Sequence, residues 1–360
     1  TALLNTTGCS GDDDSVKQLL DSPSVRFSLP DYRQFLQTSA FGQQMCYQPV
    51  ITSTQTVLQQ AVETASKALA GTSNPALAAV PQNGLTFVSD IQTAGRGRGS
   101  NTWTSPEGSL SFSYLATFTK GSTLPFVQYL VSLALVHAVK KKPGLEELPL
   151  HIKWPNDIYV NRNTKIGGIL CTSQYDGKIF SVIIGVGVNV NNSQPTTCLN
   201  DVIRQHTDQN RNEDSVVSLP EDALENTDAE VAKPVAMPSP ADLTMTREEL
   251  LGNFMNEFEH ITAAFEKHGF EPFRDQYIKN WLHSGQEVMV ERLSTATSTE
   301  AKPDSANMAA AQITGISTNG NLLVRFLDSE ATNTSSLQHE VIPDTSSLDM
   351  LQGLVTRKST

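Results

Sequence analysis

From Leu110 to Phe118 apolar and small polar residues alternate. Leu110, Phe112, Tyr114, Ala116 and Phe118 fall on one side, and Ser109, Ser111, Ser113, Leu115 and Thr117 on the other. This predicts a strand with one strongly apolar face. A second alternation over Ile179 to Val190 sets Val182, Ile184, Val186, Val188 and Val190 against Ser181, Ile183, Gly185, Gly187 and Asn189. The second of those faces is flattened by glycine and ends in an amide, so it suits a flat ligand or a tightly packed helix.

Three stretches carry helical spacing instead. Val57, Leu58, Ala61, Ala65 and Leu69 form one face after the β-branched run from Val50 to Thr56, with Ser53 or Thr54 as the natural N-cap. Pro125 to Lys140 is apolar and stops at Lys140-Lys141-Lys142-Pro143-Gly144, where the lysines read as compensation of the helix dipole. Thr246-Arg247-Glu248-Glu249 is a capping box, and Leu250, Phe254, Phe258, Ile261 and Phe265 after it have the spacing of core packing, ended by Gly269 and Pro272. Beyond the segment Phe273 to Leu282 the texture changes. Short strand-like runs at Glu287–Val290, Gln312–Ile316, Asn321–Leu327 and Glu340–Ile342, with a turn at Asn319-Gly320, predict a small β-barrel.

Two regions break the pattern. Residues 1–40 read as a tail or linker with one packed segment around Arg26 to Tyr32. Residues from about 206 to 242 read as a disordered acidic insertion, because seven acidic residues and no Lys or Arg lie between Glu213 and Glu230 and Pro234, Pro238 and Pro240 follow.

Length and composition narrow the class. The 360 residues are enough for two or three domains, and a net charge of −12 with 38% hydrophobic residues argues against a general nucleic-acid binder. Cys9, Cys46, Cys171 and Cys198 are scattered with no C-x-x-C pair, which suggests neither a zinc site nor a disulfide framework and fits a reducing compartment. The apolar run Phe126 to Val139 reads as too short for a bilayer span. Thr1 in place of Met, with no apolar leader, is the expectation for a part excised from a longer protein.

Against that acidic background the stretch Gln92 to Trp103 stands out, with three glycines, two arginines and a tryptophan from Gly95 onward, directly after the strand-like run Leu85 to Asp90. Glycines let backbone N–H groups approach an anion, guanidinium forks bind phosphate or carboxylate, and an indole stacks on a flat ring such as adenine. The spacing is neither that of a P-loop nor G-x-G-x-x-G. An Arg-Gly nucleic-acid tract and an ordinary surface turn are the competing readings.

In Leu150 to Val160, Ile152 and Trp154 share a face and Lys153 projects from the other, so the lysine needs a partner charge. Pro155 makes Trp154-Pro155-Asn156-Asp157 a sharp departure from the sheet, against the alternative of an edge strand with an ordinary turn. Lys165-Ile166-Gly167-Gly168-Ile169-Leu170 begins the partner strand.

Taken together, Gly95-Arg96-Gly97-Arg98 with Trp103, Lys153-Trp154-Pro155-Asn156-Asp157, Lys165 to Leu170 and Gly185-Val186-Gly187-Val188-Asn189 resemble, in order and spacing, the motif set of biotin protein ligases, the eukaryotic holocarboxylase synthetase branch fitting best. The resemblance is strong from Val50 to Asn200 and weaker through Trp281-Leu282-His283-Ser284-Gly285 and Pro343 to Met350. It implies an α+β fold: a class II aminoacyl-tRNA synthetase-like mixed sheet with helices over residues 41–284, then a small SH3-like β-barrel over 285–360. It also implies a ligase that makes biotinyl-5′-AMP and pyrophosphate from biotin and Mg-ATP, so with Mg²⁺, and then biotinylates a lysine of a carboxylase's biotin carrier domain. A monomer that binds neither nucleic acid nor membrane is expected, in the cytoplasm, with an organellar copy as the alternative location.

By family matching Lys153 and Arg98 are the catalytic residues. Ser53, Thr54, Gln92, Gly95, Arg96, Lys153, Gly168 and Gly185 fall to biotin, and Arg98, Trp103, Asn156, Asp157 and Asn189 to ATP or the adenylate. Two departures stand out: Gly99-Ser100-Asn101-Thr102 replaces the further basic residues of bacterial relatives, and Gln55 stands where many relatives have asparagine. A lipoate or octanoate transferase of the same fold, an Arg-Gly RNA-binding module and a non-catalytic carrier-binding scaffold are the alternatives. Lys-Trp-Pro-Asn-Asp beside the double-arginine loop argues against the first, net charge against the second, and the presence of both Lys153 and Arg98 against the third.

Overall fold

The computed structural model describes residues 26–70, 82–216, 243–291, 308–327, 338–342, 346–349 and 354–357. Its centre is a seven-stranded mixed sheet made of β1 (Met45–Ile51), β2 (Thr86–Gln92), β3 (Ser109–Phe118), β4 (Leu150–Lys153), β5 (Asp157–Val160), β6 (Thr164–Tyr175) and β7 (Phe180–Asn189), in the order β1-β2-β3-β7-β6-β5-β4. β1 and β2 are parallel and the other neighbours antiparallel. The two alternating runs of the sequence are thus adjacent central strands, β3 and β7.

The apolar face of the sheet is covered by α3 (Leu124–Lys140) and α5 (Arg247–His268), which share one continuous core with it. α3 is buried on nearly every side, from Phe126 to Val139, and this accounts for a composition that by length alone would let Gly121–Lys140 cross a bilayer. The sequence reading of that run as too short is therefore corrected: the helix is long enough, and its apolar character belongs to the protein core. Thr246 caps α5 by accepting the Glu249 N–H at 3.0 Å, as the capping-box spacing predicts.

On the opposite face α2 (Thr54–Ala70) buries Val57, Leu58 and Val62 against Ile51, Phe87, Leu115 and Ile183. It covers only part of that face. The sequence left a flat ligand and a packed helix as alternatives for the glycine side of β7. The strand uses both, with Ile183 beneath α2 and Gly185 and Gly187 beside it in an open cavity.

The packed segment expected near Arg26 to Tyr32 is helix α1 (Leu29–Phe35), with Phe27 and Tyr32 buried. Phe27 N–H donates to Asp90 at 3.1 Å, and Asp90 also takes Arg247 at 2.8 Å in an ion pair that is 5% and 4% exposed. Helix α4 (Leu199–Val216) runs into the stretch assigned to the acidic insertion, so the disordered start at about 206 is corrected. Val202 and Ile203 anchor the helix in the core, and propagation past a buried nucleus costs little. Residues 217–242, where the rest of that expectation falls, lie outside the described residues.

α6 (Glu271–Asn280) leads to a second sheet of β8 (Glu287–Glu291), β9 (Met308–Ile316), β10 (Leu322–Phe326), β11 (Gln338–Val341), β12 (Ser346–Asp349) and β13 (Leu354–Arg357), in the order β11-β10-β9-β8-β13-β12. The four strands read from the sequence are β8 to β11. β13 pairs parallel to β8 and antiparallel to β12. The fold is a mixed α/β architecture.

Candidate active site

In an antiparallel sheet directly paired residues share a face. Ser113 pairs with Gly185, Ser111 with Gly187, and Gly168 of β6 with Gly187. Three strands thereby present a floor of hydroxyls and bare backbone. Above it lies a cavity of about 980 Å³, walled by the start of α2, the Gly-Arg loop and the β4–β5 turn.

One end of the cavity is a hydrogen-bonded amide and hydroxyl cluster. The Gln92 amide oxygen accepts from Thr54 N–H at 2.8 Å and from Thr54 Oγ1 at 3.2 Å, and the Thr54 hydroxyl lies 2.9 Å from Ser113 Oγ. Gln55 lies across Gly185: its amide donates to Thr172 Oγ1 at 3.1 Å and to the Ile183 carbonyl at 3.0 Å and accepts from Ser113 at 3.2 Å. A Cβ on residue 185 would stand 2.5 Å from Gln55 Oε1. Ser53 Oγ accepts the Thr56 N–H at 3.5 Å, so it caps α2 while facing the cavity.

The other end is cationic. The Gly-Arg loop doubles back on itself: Trp103 N–H donates to the Gly95 carbonyl at 2.9 Å, Gly97 N–H to Asn101 at 2.8 Å and Asn101 N–H to Arg98 at 3.1 Å. This fold-back lays the Trp103 indole flat on Gly187, where any Cβ would overlap the ring. The indole N–H is buried without a partner among the described residues. Arg98 reaches across to Asn156 Oδ1 at 3.2 Å. Asn156 is bound to Ile169 through its side-chain amide at 2.7 Å and its carbonyl at 2.9 Å, which ties the turn to β6.

Lys153 ends β4, pairs with Asp157 across the hairpin, and holds its ammonium 5.4 Å from the centre of the Tyr159 ring. Asp157 stands opposite Lys153 across the hairpin, and its carboxylate pairs with Lys165 at 2.7 Å. The Trp154–Pro155 peptide is cis. Among charged residues the cavity is lined by Arg96, Arg98, Lys153 and Lys165 against Asp157 alone. In a chain carrying −12 overall, this is a local positive field suited to a phosphate chain and a carboxylate.

Of the residues singled out from sequence, Ser53, Thr54, Gln92, Arg96, Arg98, Trp103, Lys153, Asn156, Asp157, Gly168 and Gly185 line this one cavity. Gly95 and Asn189 stand outside its lining. Gly95 is the base of the loop's fold-back, and the Asn189 amide donates to Thr196 Oγ1 at 3.3 Å and the Thr197 carbonyl at 3.1 Å. Lys165, Ser113 and Thr172 join the lining without having been chosen. For Ser113 and Thr172 alternation with buried neighbours was the available signal, since each lies on the face shared with Gly185 of β7, whereas Lys165 reaches that face past the bulge between β5 and β6.

The profile of the Biotin/lipoate A/B protein ligase family matches residues 49–189, the stretch that builds this cavity. Biotin–protein ligase 2 of Arabidopsis thaliana is 34% identical over 346 residues, covering 95% of this chain and 86% of its own length. The chain belongs to the biotin protein ligase family. Chloroplastic biotin–protein ligase 1 of the same plant is 34% identical over 345 residues, covering 95% of this chain and 77% of its own length. A solved biotin protein ligase of Aquifex aeolicus, in complex with biotin and ATP, shares the fold at 20% identity and a TM-score of 0.50, covering 83% of this chain and 95% of that one. This family membership gives the small-residue floor, the double-arginine loop and the lysine turn a common purpose.

Proposed function

We propose that this protein is an ATP-dependent biotin ligase that makes biotinyl-5′-AMP and then biotinylates a lysine in the carrier domain of a biotin-dependent carboxylase. The observation that carries this reading is the convergence of Arg98 and Lys153, from separate loops, on one cavity whose floor is glycine and serine. In the first step a biotin carboxylate oxygen bonds to the α-phosphorus while the bond to the β-phosphate oxygen breaks and pyrophosphate leaves. Two anions must meet, so fixed cations that neutralise both lower the barrier. In the second, the acceptor amine attacks the acyl carbon, the C–O bond to phosphate breaks, AMP departs and the amine loses a proton.

We assign the amide-hydroxyl end, with Ser53, Thr54, Gln92, Gly168 and Gly185, to biotin, with Arg96 and Gly95 ordering the loop above it. We assign the end with Arg98, Trp103, Asn156 and Asp157 to the nucleotide and place Lys153 between them. The orphaned indole N–H of Trp103 supports a ligand there. We place Asn189 as a support for the loop after β7, through its bonds to Thr196 and Thr197. Among the described residues no group of three His, Cys, Asp or Glu could hold a metal ion, so we place Mg²⁺ on the nucleotide's own phosphates. The second sheet is assigned to the family's SH3-like barrel and the first to a class II synthetase-like catalytic unit. The burial of Phe27 and Tyr32 supports counting the chain from residue 26 with the latter. The chloroplastic relative accords with an organellar form.

The test is pyrophosphate release from Mg-ATP with biotin, lipoate or neither, together with the mass of a biotin carrier domain. Biotin-dependent release and a gain of one biotinyl group are expected. Release that depends on lipoate, or none from folded protein, overturns the assignment.

A further inference from the structure

His283 is fully buried and lies outside the cavity, at the junction between α6 and the second sheet. Its Nε2 accepts the backbone N–H of Trp154 at 3.0 Å, and its Nδ1 lies 2.9 Å from the side-chain oxygen of Gln286. A ring that accepts at Nε2 and donates from Nδ1 is neutral and has one tautomer. Burial is the main reason its pKa falls to about 4; the Gln286 bond opposes this, and the charges of Lys153 and Arg162 add to it.

The neighbouring residue completes a clamp. Leu282 N–H donates to the Ile152 carbonyl at 3.0 Å, and Trp281 bridges Ile152 in parallel. Lys153 therefore sits between two peptide groups held from the same short segment, Ile152 by Leu282 and Trp154 by His283. The Trp154 indole N–H is taken by Tyr129 at 2.9 Å, whose hydroxyl in turn donates to the Gly320 carbonyl in the turn between β9 and β10.

We propose that His283 is a positioning residue for adenylation, fixing the Trp154 N–H and through it the backbone that aims Lys153 into the cavity. This rests on the reading of Lys153 as a reacting cation. An ammonium that must meet developing charge gains nothing from reorganising at the moment of reaction, so the clamp acts on rate more than on ground-state binding.

The experiment uses the full chain and biotin-dependent pyrophosphate release, with kcat normalised to folded protein by near-UV circular dichroism. His283→Leu removes the acceptor; His283→Gln places an amide oxygen where it can take the Trp154 N–H. The Leu variant is expected to lose about tenfold in kcat, with KM for biotin and ATP each within about threefold of wild type, and the Gln variant to recover most of the loss. If His283→Leu does not fold, Gln286→Ala, which frees Nδ1 and loosens the ring, is expected to lower kcat with the same KM pattern. Folded His283→Leu with wild-type kcat overturns the proposal, as do equal losses in the Leu and Gln variants, or an unchanged kcat in Gln286→Ala where His283→Leu is unfolded. A wild-type chain inert with biotin instead removes the functional reading beneath it, an outcome visible before any variant is made.

Discussion

The two loops that bring cations to the cavity are built in opposite ways. The Gly-Arg loop is held mainly by its own backbone, through the bonds between Gly95 and Trp103 and between Gly97 and Asn101, and residues 99–102 at its tip are exposed. The Lys153 turn is gripped by buried groups from outside: His283 on the Trp154 amide, Tyr129 on its indole and Leu282 on Ile152. On the proposed reading the first loop closes as a flap hinged at β2, whereas the second cannot move without disturbing the junction of both sheets. A site that admits two substrates, makes a hydrolysable mixed anhydride and then admits a protein lysine needs both properties. On that reading, the difference assigns fixed electrostatics to Lys153 and closure to the loop of Arg98.

Removing the fixed cation should hurt most. Lys153→Ala is expected to lower kcat for pyrophosphate release by a factor on the order of 10² to 10³, as for other preorganised charge-stabilising donors. Initial-rate kinetics checks this, and a loss smaller than that of Arg98→Ala would reverse the comparison. The grip itself should titrate. Because the folded pKa of His283 lies below its ordinary value of 6.5, at about 4, the unfolded chain binds the proton more readily. Stability from this group is full above 6.5 and is lost as pH falls from there toward 4. The loss is on the order of 3 kcal/mol, and this part of the slope should be absent in His283→Gln. Urea titrations at several pH values would show it, and identical slopes would sink the tautomer assigned to the ring.

Arg98→Ala should cost less, roughly tenfold in kcat, because Arg96 and Lys165 line the same cavity and the flap can adjust. The same variant should leak adenylate faster than wild type, read as biotin-dependent AMP appearance without acceptor. Tight retention would assign closure to another group.

Much of this comparison was legible in the chain. Alternation placed β3 and β7 with the correct faces, since a central strand with one buried face admits only one register. The glycines and the Arg-Gly spacing marked the flap because no ordinary core use explains them. The clamp was not legible. His283 sits well over a hundred residues from Trp154, and its partner is a backbone N–H, which leaves no pattern of residue types. Lys165 escaped for a related reason: its pairing with Asp157 depends on a bulge between β5 and β6. Helix α4 was cut short in the reading because its polar composition obscured a few anchoring residues, Val202 and Ile203. The strands β12 and β13 were missed because β13 enters its sheet in parallel to β8, a long-range pairing that local turns do not announce.

The smallest expected effect separates the two ends of the cavity. Gly187 lies beneath the Trp103 indole, and a methyl there would meet Cζ2 at 2.8 Å. Were the indole clamped as Trp154 is, Gly187→Ala would have to distort the sheet. The flap carrying Trp103 is hinged, so the ring should lift instead, leaving the fold intact and raising KM for ATP by about fivefold with KM for biotin nearly unchanged. Gly185→Ala meets Gln55, which three hydrogen-bonding groups hold in place, and should raise KM for biotin instead. Two-substrate kinetics on both variants decides the matter. Crossed effects, with Gly187→Ala acting on biotin and Gly185→Ala on ATP, would mean that the hydroxyl end holds the nucleotide and that the flap closes over biotin alone.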